Sequence, residues 1–180
     1  ITLFENNESQ VSVLPFEDAD SVRQKIRENK NIKRFHSIAL KPGMLKNKSH
    51  FEGVVFKGVS SNFDWSSLDT FLTEGRFPDL SNRISKEILI SETLARQLDL
   101  KVGDQTDTFF QNQPYESLPK KRRFTVAGIY FSGFPDVDQT LLYGDLRQIQ
   151  KLNRWEENMI GAYELFVKDF SLIQNTTDQI

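Results

Sequence analysis

Cysteine is absent from this chain of 180 residues. That excludes a disulfide framework, a thiolate metal site and a cysteine nucleophile, and it suits an oxidising compartment without requiring one. Histidine is almost as scarce, with two copies. His36 and His50 fall on separate predicted strands and lack the i, i+4 helical spacing of a zinc motif. His36, next to Phe35, reads as a hydrogen-bonded strand histidine, and no metal site is expected. Long apolar runs are missing as well. The longest, VVF and LFV, are strand-sized, against the roughly 18 to 20 residues of a membrane span. No secretory leader is recognisable. The chain starts at Ile1 and ends within a predicted helix, so it is expected to be a piece of something larger. Nor does either charge dominate: 23 basic residues face 25 acidic ones, a net charge of −2. Nucleic acid, which needs a concentrated positive field, is therefore not an expected partner. The basic run Lys120, Lys121, Arg122, Arg123 reads as a solvated approach to a strand.

The usual signatures of catalysis and nucleotide binding are also missing. No serine sits in a Gly-x-Ser-x-Gly elbow, and Gly128 and Gly133 do not make a Gly-x-Gly-x-x-Gly turn into a helix. Asp136 and Asp138 bracket Val137 and would suit calcium or a catalytic pair, but flanking oxygen ligands at regular spacing are lacking. A turn with strand-entry capping is the expected role, and no cofactor is implied. What the chain does have is phenylalanine, 15 copies. Phe56, Phe124 and Phe166 are expected in the core, whereas Phe63, Phe71 and Phe77 lie in an irregular polar segment where a groove is also conceivable.

The pattern of elements is α+β, since several strands combine with four helical stretches that do not strictly alternate. ITLF opens as a strand, and Asp18 to Asn29 carries Ala19, Val22 and Ile26 at helical spacing. Phe35 to Leu40 reads as a strand stopped by a Lys41-Pro42-Gly43 turn, and His50 to Val59 as the next. After Val59 comes a short helix or turn, then an exposed loop through Pro78 to Arg83. Glu87 to Ile90 is a strand, and Ser91 caps a helix with Leu94 and Leu98 one turn apart. Val102-Gly103-Asp104 turns the chain into Gln105 to Gln111, and Pro114 and Pro119 keep the following segment out of a sheet. Strands are predicted at Arg123 to Phe131, Gln139 to Tyr143 and Met159 to Lys168, with a helix capped by Asp145 and a final helix from Ser171.

Several of these pieces, in order, carry a resemblance. They are GVVFKGV, TEGRF with its polar loop, ILISETLARQLDLKVGD, RFTVAGIYFSGFPDVDQTLLYGDLRQIQKL and AYELFVKD. Together the chain resembles the extracytoplasmic domain of MacB-like, FtsX-like ABC transporter permeases, in the lipoprotein-releasing (Lol-type) branch. The resemblance implies a MacB-like periplasmic core domain of two subdomains. One would be a porter-like α/β unit built from both chain ends, residues 1–60 and 158–180. The other would be an inserted β-rich unit, residues 61–157. It also implies a non-catalytic role, coupling a cytoplasmic ATPase subunit to periplasmic lipoprotein release from the inner membrane, with a second permease protomer as partner. The loop at residues 111–122 matches the family's chaperone hook, a few residues shorter. Gln113, Pro114, Tyr115, Leu118 and Pro119 would then contact a periplasmic lipoprotein chaperone or the cargo. The competing readings are a β-rich extracellular sensor or ligand-binding module, and a hydrolase using Asp136 and Asp138.

Overall fold

The computed structural model describes Ser12, residues 14–111 and residues 118–169. In chain order its elements are β1 (Phe16–Glu17), α1 (Asp20–Glu28), β2 (Ile32–Asn47), β3 (His50–Val59), β4 (Leu72–Gly75), β5 (Glu87–Ser91) and α2 (Glu92–Leu98). There follow β6 (Gln105–Phe110), β7 (Lys120–Tyr130), α3 (Pro135–Thr140), β8 (Leu141–Asp145), α4 (Leu146–Asn153), β9 (Met159–Ile160) and β10 (Ala162–Val167). This is the α+β class that the sequence implies. The predicted first strand and last helix lie outside the described residues.

The main sheet closes on itself. β2 pairs with β3, β3 runs parallel to β8, and β8 meets β5 at Leu89 and Tyr143. β5 runs parallel to β7, which returns through β6 to β2. A ring of strands results, with β10 added outside on the first half of β2 and β4 on β7. Alternation along the strands sends Leu45, Val54, Phe56, Ile88, Phe110 and Phe124 inward, all buried. The Phe56 ring stands 5.8 Å from Phe110 and 5.3 Å from Phe124, so three of the phenylalanines fill the ring. Leu94 and Leu98 of α2, and Ile149 and Leu152 of α4, join the same cluster. Each fully buried side chain of this size stabilises by roughly 1.5–3 kcal/mol.

A second cluster forms on the outer face. Ile38, Val59, Leu89, Tyr130 and Tyr143 are covered there by Phe63 and Leu80, with Trp65, Leu68 and Phe77 at the margin. Trp65 and Phe77 stack at 5.0 Å. Phe63, Trp65 and Phe77 of the polar segment are thus cover rather than a groove. Phe166 is only half-buried, because β10 is an added strand outside the ring.

The Lys41-Pro42-Gly43 turn does not exist. β2 runs straight through it, with Pro42 paired to Val55 and Gly43 to Val54. Proline is tolerated in a strand where its missing N–H has no ladder to serve. Pairing to β10 ends at Ile38 and pairing to β6 begins at Met44, so Pro42 sits in the gap between them. Gly43 lets Phe110 approach: a Cβ there would stand 3.0 Å from its ring.

The predicted exposed loop is also partly buried, at Pro78 and Leu80. Arg147 on α4 holds it by donating to the carbonyl oxygens of Leu80 at 2.7 Å, Asn82 at 3.1 Å and Arg83 at 3.1 Å. Arg147 also pairs with buried Asp145 at 2.7 Å, and Asp145 accepts the Ser85 amide at 2.7 Å. Ahead of this loop the short strand β4 was not expected. It lies so close to β7 at Gly75 (φ 73°) and Gly128 that neither position has room for a side chain. Arg76 then donates to both carboxylate oxygens of Glu87, at 2.8 and 2.6 Å, tying β4 to β5.

The two predicted helix caps are present. The Ser91 hydroxyl accepts the Leu94 amide at 3.0 Å, and the Asp145 carboxylate accepts the Arg147 amide at 2.9 Å. The turn expected around Asp136 is instead the helix α3, which Pro135 begins without sacrificing a hydrogen bond.

Candidate functional site

β6 and β7 form an antiparallel hairpin in register from Gln105 opposite Thr125 to Phe110 opposite Lys120. β7 therefore starts at Lys120, three residues before the predicted Arg123, and the segment between the two strands is 111–119. Its root is firm. Phe110 is fully buried, and Thr106 Oγ1 donates to the Lys46 carbonyl at 2.9 Å. Of the residues singled out in the loop, Leu118 is 89% exposed and Pro119 is exposed. Gln113, Pro114 and Tyr115 lie outside the described residues.

The basic run is partnered rather than simply solvated. Asp107 on β6 pairs with Lys121 at 2.7 Å and Arg123 at 2.8 Å, and the hydrogen bonds from Arg123 and Lys121 pull its pKa down to about 2. Lys120 instead crosses to α4, donating to the Leu152 carbonyl at 2.8 Å. Lys41 reaches the same helix end, where its ammonium donates to Asn153 Oδ1 at 2.6 Å. Burial, and then the nearby Lys120, lower the Lys41 pKa. Cations at a helix C-terminus complement its exposed carbonyls.

The paired carboxylates are separated by burial. Asp136 is exposed, whereas Asp138 is buried and spends both oxygens on the preceding loop. It accepts the Ser132 amide at 3.1 Å, the Ser132 hydroxyl at 2.7 Å and the Gly133 amide at 3.1 Å. Its backbone carbonyl also accepts from the Ser91 hydroxyl at 2.5 Å. Asp138 therefore holds the FSGF turn and is committed as a structural acceptor. Among the described residues no group of three or more His, Asp or Glu is placed to hold a metal ion.

His36 departs from the expected hydrogen-bonded histidine. Its ring is buried against Phe63 at 4.4 Å and Phe166 at 5.6 Å, and its Nε2 has no partner. Around it stand Arg34, Lys57, Asp64 and Glu164. Lys57 pairs with Glu164 at 2.5 Å and Arg34 with Asp64 at 2.7 Å. Across the sheet, Asp18 ties α1 to β2 and β10. It accepts from Arg23, from the Ser37 hydroxyl at 2.8 Å and from the Tyr163 hydroxyl at 2.5 Å. Burial raises the Asp18 pKa, but these donors outweigh it and hold the group below its ordinary value.

Comparison with known proteins gives the fold a precedent. No family model matches the chain. The extracellular domain of the noncanonic ABC-type transporter YknZ from Gram-positive bacteria superposes with a TM-score of 0.57 at 15% identity, over 90% of this chain and 78% of that one. The periplasmic region of MacB from Actinobacillus actinomycetemcomitans does so with a TM-score of 0.57 at 13% identity, over 97% of this chain and 75% of that one. The fold is that of a MacB-like extracytoplasmic domain. In sequence, the chain is similar to the lipoprotein-releasing system transmembrane protein LolC of Haemophilus influenzae. The two are 25% identical over 116 residues, 62% of this chain and 29% of the relative. LolC of Xylella fastidiosa (strain Temecula1) is 31% identical over 72 residues, 38% of this chain and 17% of the relative. The chain thus spans less than a third of the length of these curated relatives.

No described helix is long and apolar enough to cross a membrane. Sequence reasoning missed the exposure of Phe131 and Phe134, at 50% and 65%, and of Met44 and Phe51. For the first pair the signal was the Ser-Gly between two aromatics. For Met44 it was the alternation of β2, hidden by the supposed turn at Pro42, and for Phe51 the alternation of β3.

Proposed function

We propose that this MacB-like domain is the extracytoplasmic part of an ABC transporter permease of the lipoprotein-releasing type. It faces the periplasm from the inner membrane and passes the motion driven by a cytoplasmic ATPase to lipoprotein transfer, without catalysing a reaction itself. A second permease protomer completes the assembly. The observation that carries this reading is the similarity to LolC over 116 residues, within a fold shared with domains of the transporters MacB and YknZ. In this reading residues 1–60 and 158–180 form the porter-like α/β unit and residues 61–157 the inserted β-rich one, with β2 and β3 of the first paired to β6 and β8 of the second.

The 111–119 loop is the part that meets a periplasmic lipoprotein chaperone, through Gln113, Pro114, Tyr115, Leu118 and Pro119. The exposure of Leu118 and the buried root at Phe110 support this. A loop on a fixed hairpin loses less freedom on binding than an unanchored one.

The test uses the full-length permease with its ATPase, and purified chaperone. Tyr115→Ala with Leu118→Ala is expected to weaken chaperone binding by about tenfold or more without lowering the melting temperature. Binding equal to wild type would overturn the loop assignment. A permease that releases lipoprotein normally after deletion of the whole domain would overturn the transport reading.

A further inference from the structure

The aromatic cover over the outer face rests on a buried histidine. Phe63 lies on the His36 ring at 4.4 Å, and Trp65 lies against Phe63 at 4.8 Å. Beside them Asp64 accepts from Arg34 at 2.7 Å and from the Ser66 amide at 3.0 Å, closing the tight turn Trp65–Ser67. Arg34 and His36 stand two residues apart on β2 and so share one face of the strand. Among the described residues, no backbone hydrogen bond links 61–68 to β2, β3 or β10. Side chains alone hold this cover to those strands, whereas β2 and β10 are laddered from Ile32 to Ile38.

The charges facing His36 balance while the ring is neutral. Arg34 on β2 and Lys57 on β3 are the cations; Asp64 on the cover and Glu164 on β10 are the carboxylates. Tyr143 on β8 lies under the Lys57 ammonium at 5.3 Å, and burial raises the pKa of its hydroxyl. One further positive charge at His36, which is 6% exposed, would have no counterion left over. Yet Arg34 Nε, His36 Nε2 and Glu164 Oε2 are all buried without a hydrogen-bond partner. Native structures seldom leave such atoms unpaired without a reason.

Burial is the largest influence on the His36 pKa and lowers it; Glu164 raises it, Arg34 lowers it, Asp64 raises it and Lys57 lowers it. The covered site therefore prefers the neutral ring, while an uncovered imidazole returns towards about 6.5. By linkage the covered state is favoured above that pH and loses its advantage as pH falls below it. An unused acceptor, Glu164 Oε2, belongs to the residue directly across the ladder from His36. A charged His36 is thus kept on the sheet, and the part that yields is the cover.

We propose that His36 is a proton-binding site that controls the cover: a proton taken from solvent at Nε2 releases residues 61–68 and bares Ile38, Val59 and Tyr143. The proton adds to the ring's lone pair, and Glu164 Oε2 accepts the new N–H. The domain then shows in acid an apolar face that it conceals at neutral pH. This is a property of the domain itself and holds whether or not the transport reading does.

Trp65 and Trp155 are the only tryptophans, so Trp155→Phe leaves a single reporter in the cover. Between about pH 7.5 and 5, acrylamide quenching of Trp65 is expected to rise about twofold or more, with a midpoint below about 6.5 and an unchanged far-UV circular dichroism. His36→Gln, which cannot take up the proton, should abolish the rise, and Glu164→Gln should move the midpoint to lower pH. NMR titration of the His36 ring should share the Trp65 midpoint, and it decides the matter should His36→Gln fail to fold. Quenching that stays flat in acid, rises equally in His36→Gln, or departs from the His36 titration would overturn the switch. Loss of the circular dichroism together with Trp65 exposure would mean global unfolding and would overturn it too.

Discussion

His36 and Glu164 stand opposite one another across β2 and β10, and Nε2 of the first and Oε2 of the second are both buried without a hydrogen-bond partner. Burial lowers the His36 pKa, with Glu164 pulling the other way and Arg34 and Lys57 reinforcing the depression. The unfolded chain, with an imidazole near about 6.5, then binds more protons than the folded one in the window below that value. The contribution of His36 is complete above that pH and is lost as pH falls through the folded-state value. Melting curves of wild type and His36→Gln should run parallel above pH 7 and converge below about pH 6, as wild type loses the larger share. Parallel behaviour down to pH 5 would remove His36 from the acid response.

Asp138 is predicted to matter and Asp136 not to. Asp138→Ala leaves the Ser132 and Gly133 amides without their acceptor and should cost about 2–3 kcal/mol in urea unfolding. Asp136→Ala, at an exposed site, should fall within about 0.5 kcal/mol of wild type. Equal losses at the two positions would contradict the burial difference between them.

Two glycines on neighbouring strands should respond in opposite directions. Gly43→Ala presses on the Phe110 ring and should destabilise by about 1–3 kcal/mol. Gly53→Ala meets open space and should stabilise by roughly 0.5–1 kcal/mol. Chemical denaturation of the two single variants reads this directly.

Arg147→Lys keeps the charge but has one ammonium where three carbonyls were served. Hydrogen exchange across residues 80–85 should quicken, while exchange in β3 and β6 stays as in wild type. No change at 80–85 would mean that Leu80 burial alone holds the loop.

Local chemistry was legible where a few adjacent residues decide the outcome. Ser91 and Asp145 were readable as caps because a short acceptor before an apolar repeat has few other uses. β3 and β5 followed from their apolar runs. Pro42 misled because its tolerance depends on β10 ending and β6 starting elsewhere in the chain, which no local window contains. Likewise Arg147 reaches carbonyls more than sixty residues away, and a guanidinium carries no mark of its target. The break between β6 and β7 was visible from Pro114 and Pro119. The unpartnered ring of His36 was not, because its neighbours come from β2, β3, β10 and the segment after Val59, which meet only once the chain is folded.

The uninterrupted course of β2 has a mechanical consequence. It is 16 residues long, and from Ile38 to Asn47 it is laddered to β3, while its other edge passes from β10 to β6. At about 3.3 Å per residue this is a ribbon of roughly 50 Å without a joint. A force arriving where β10 leaves the sheet cannot swing the far end like an arm on a pivot, because that would tear ladder bonds. It has to travel as torsion, and the base of the β6–β7 hairpin turns with it.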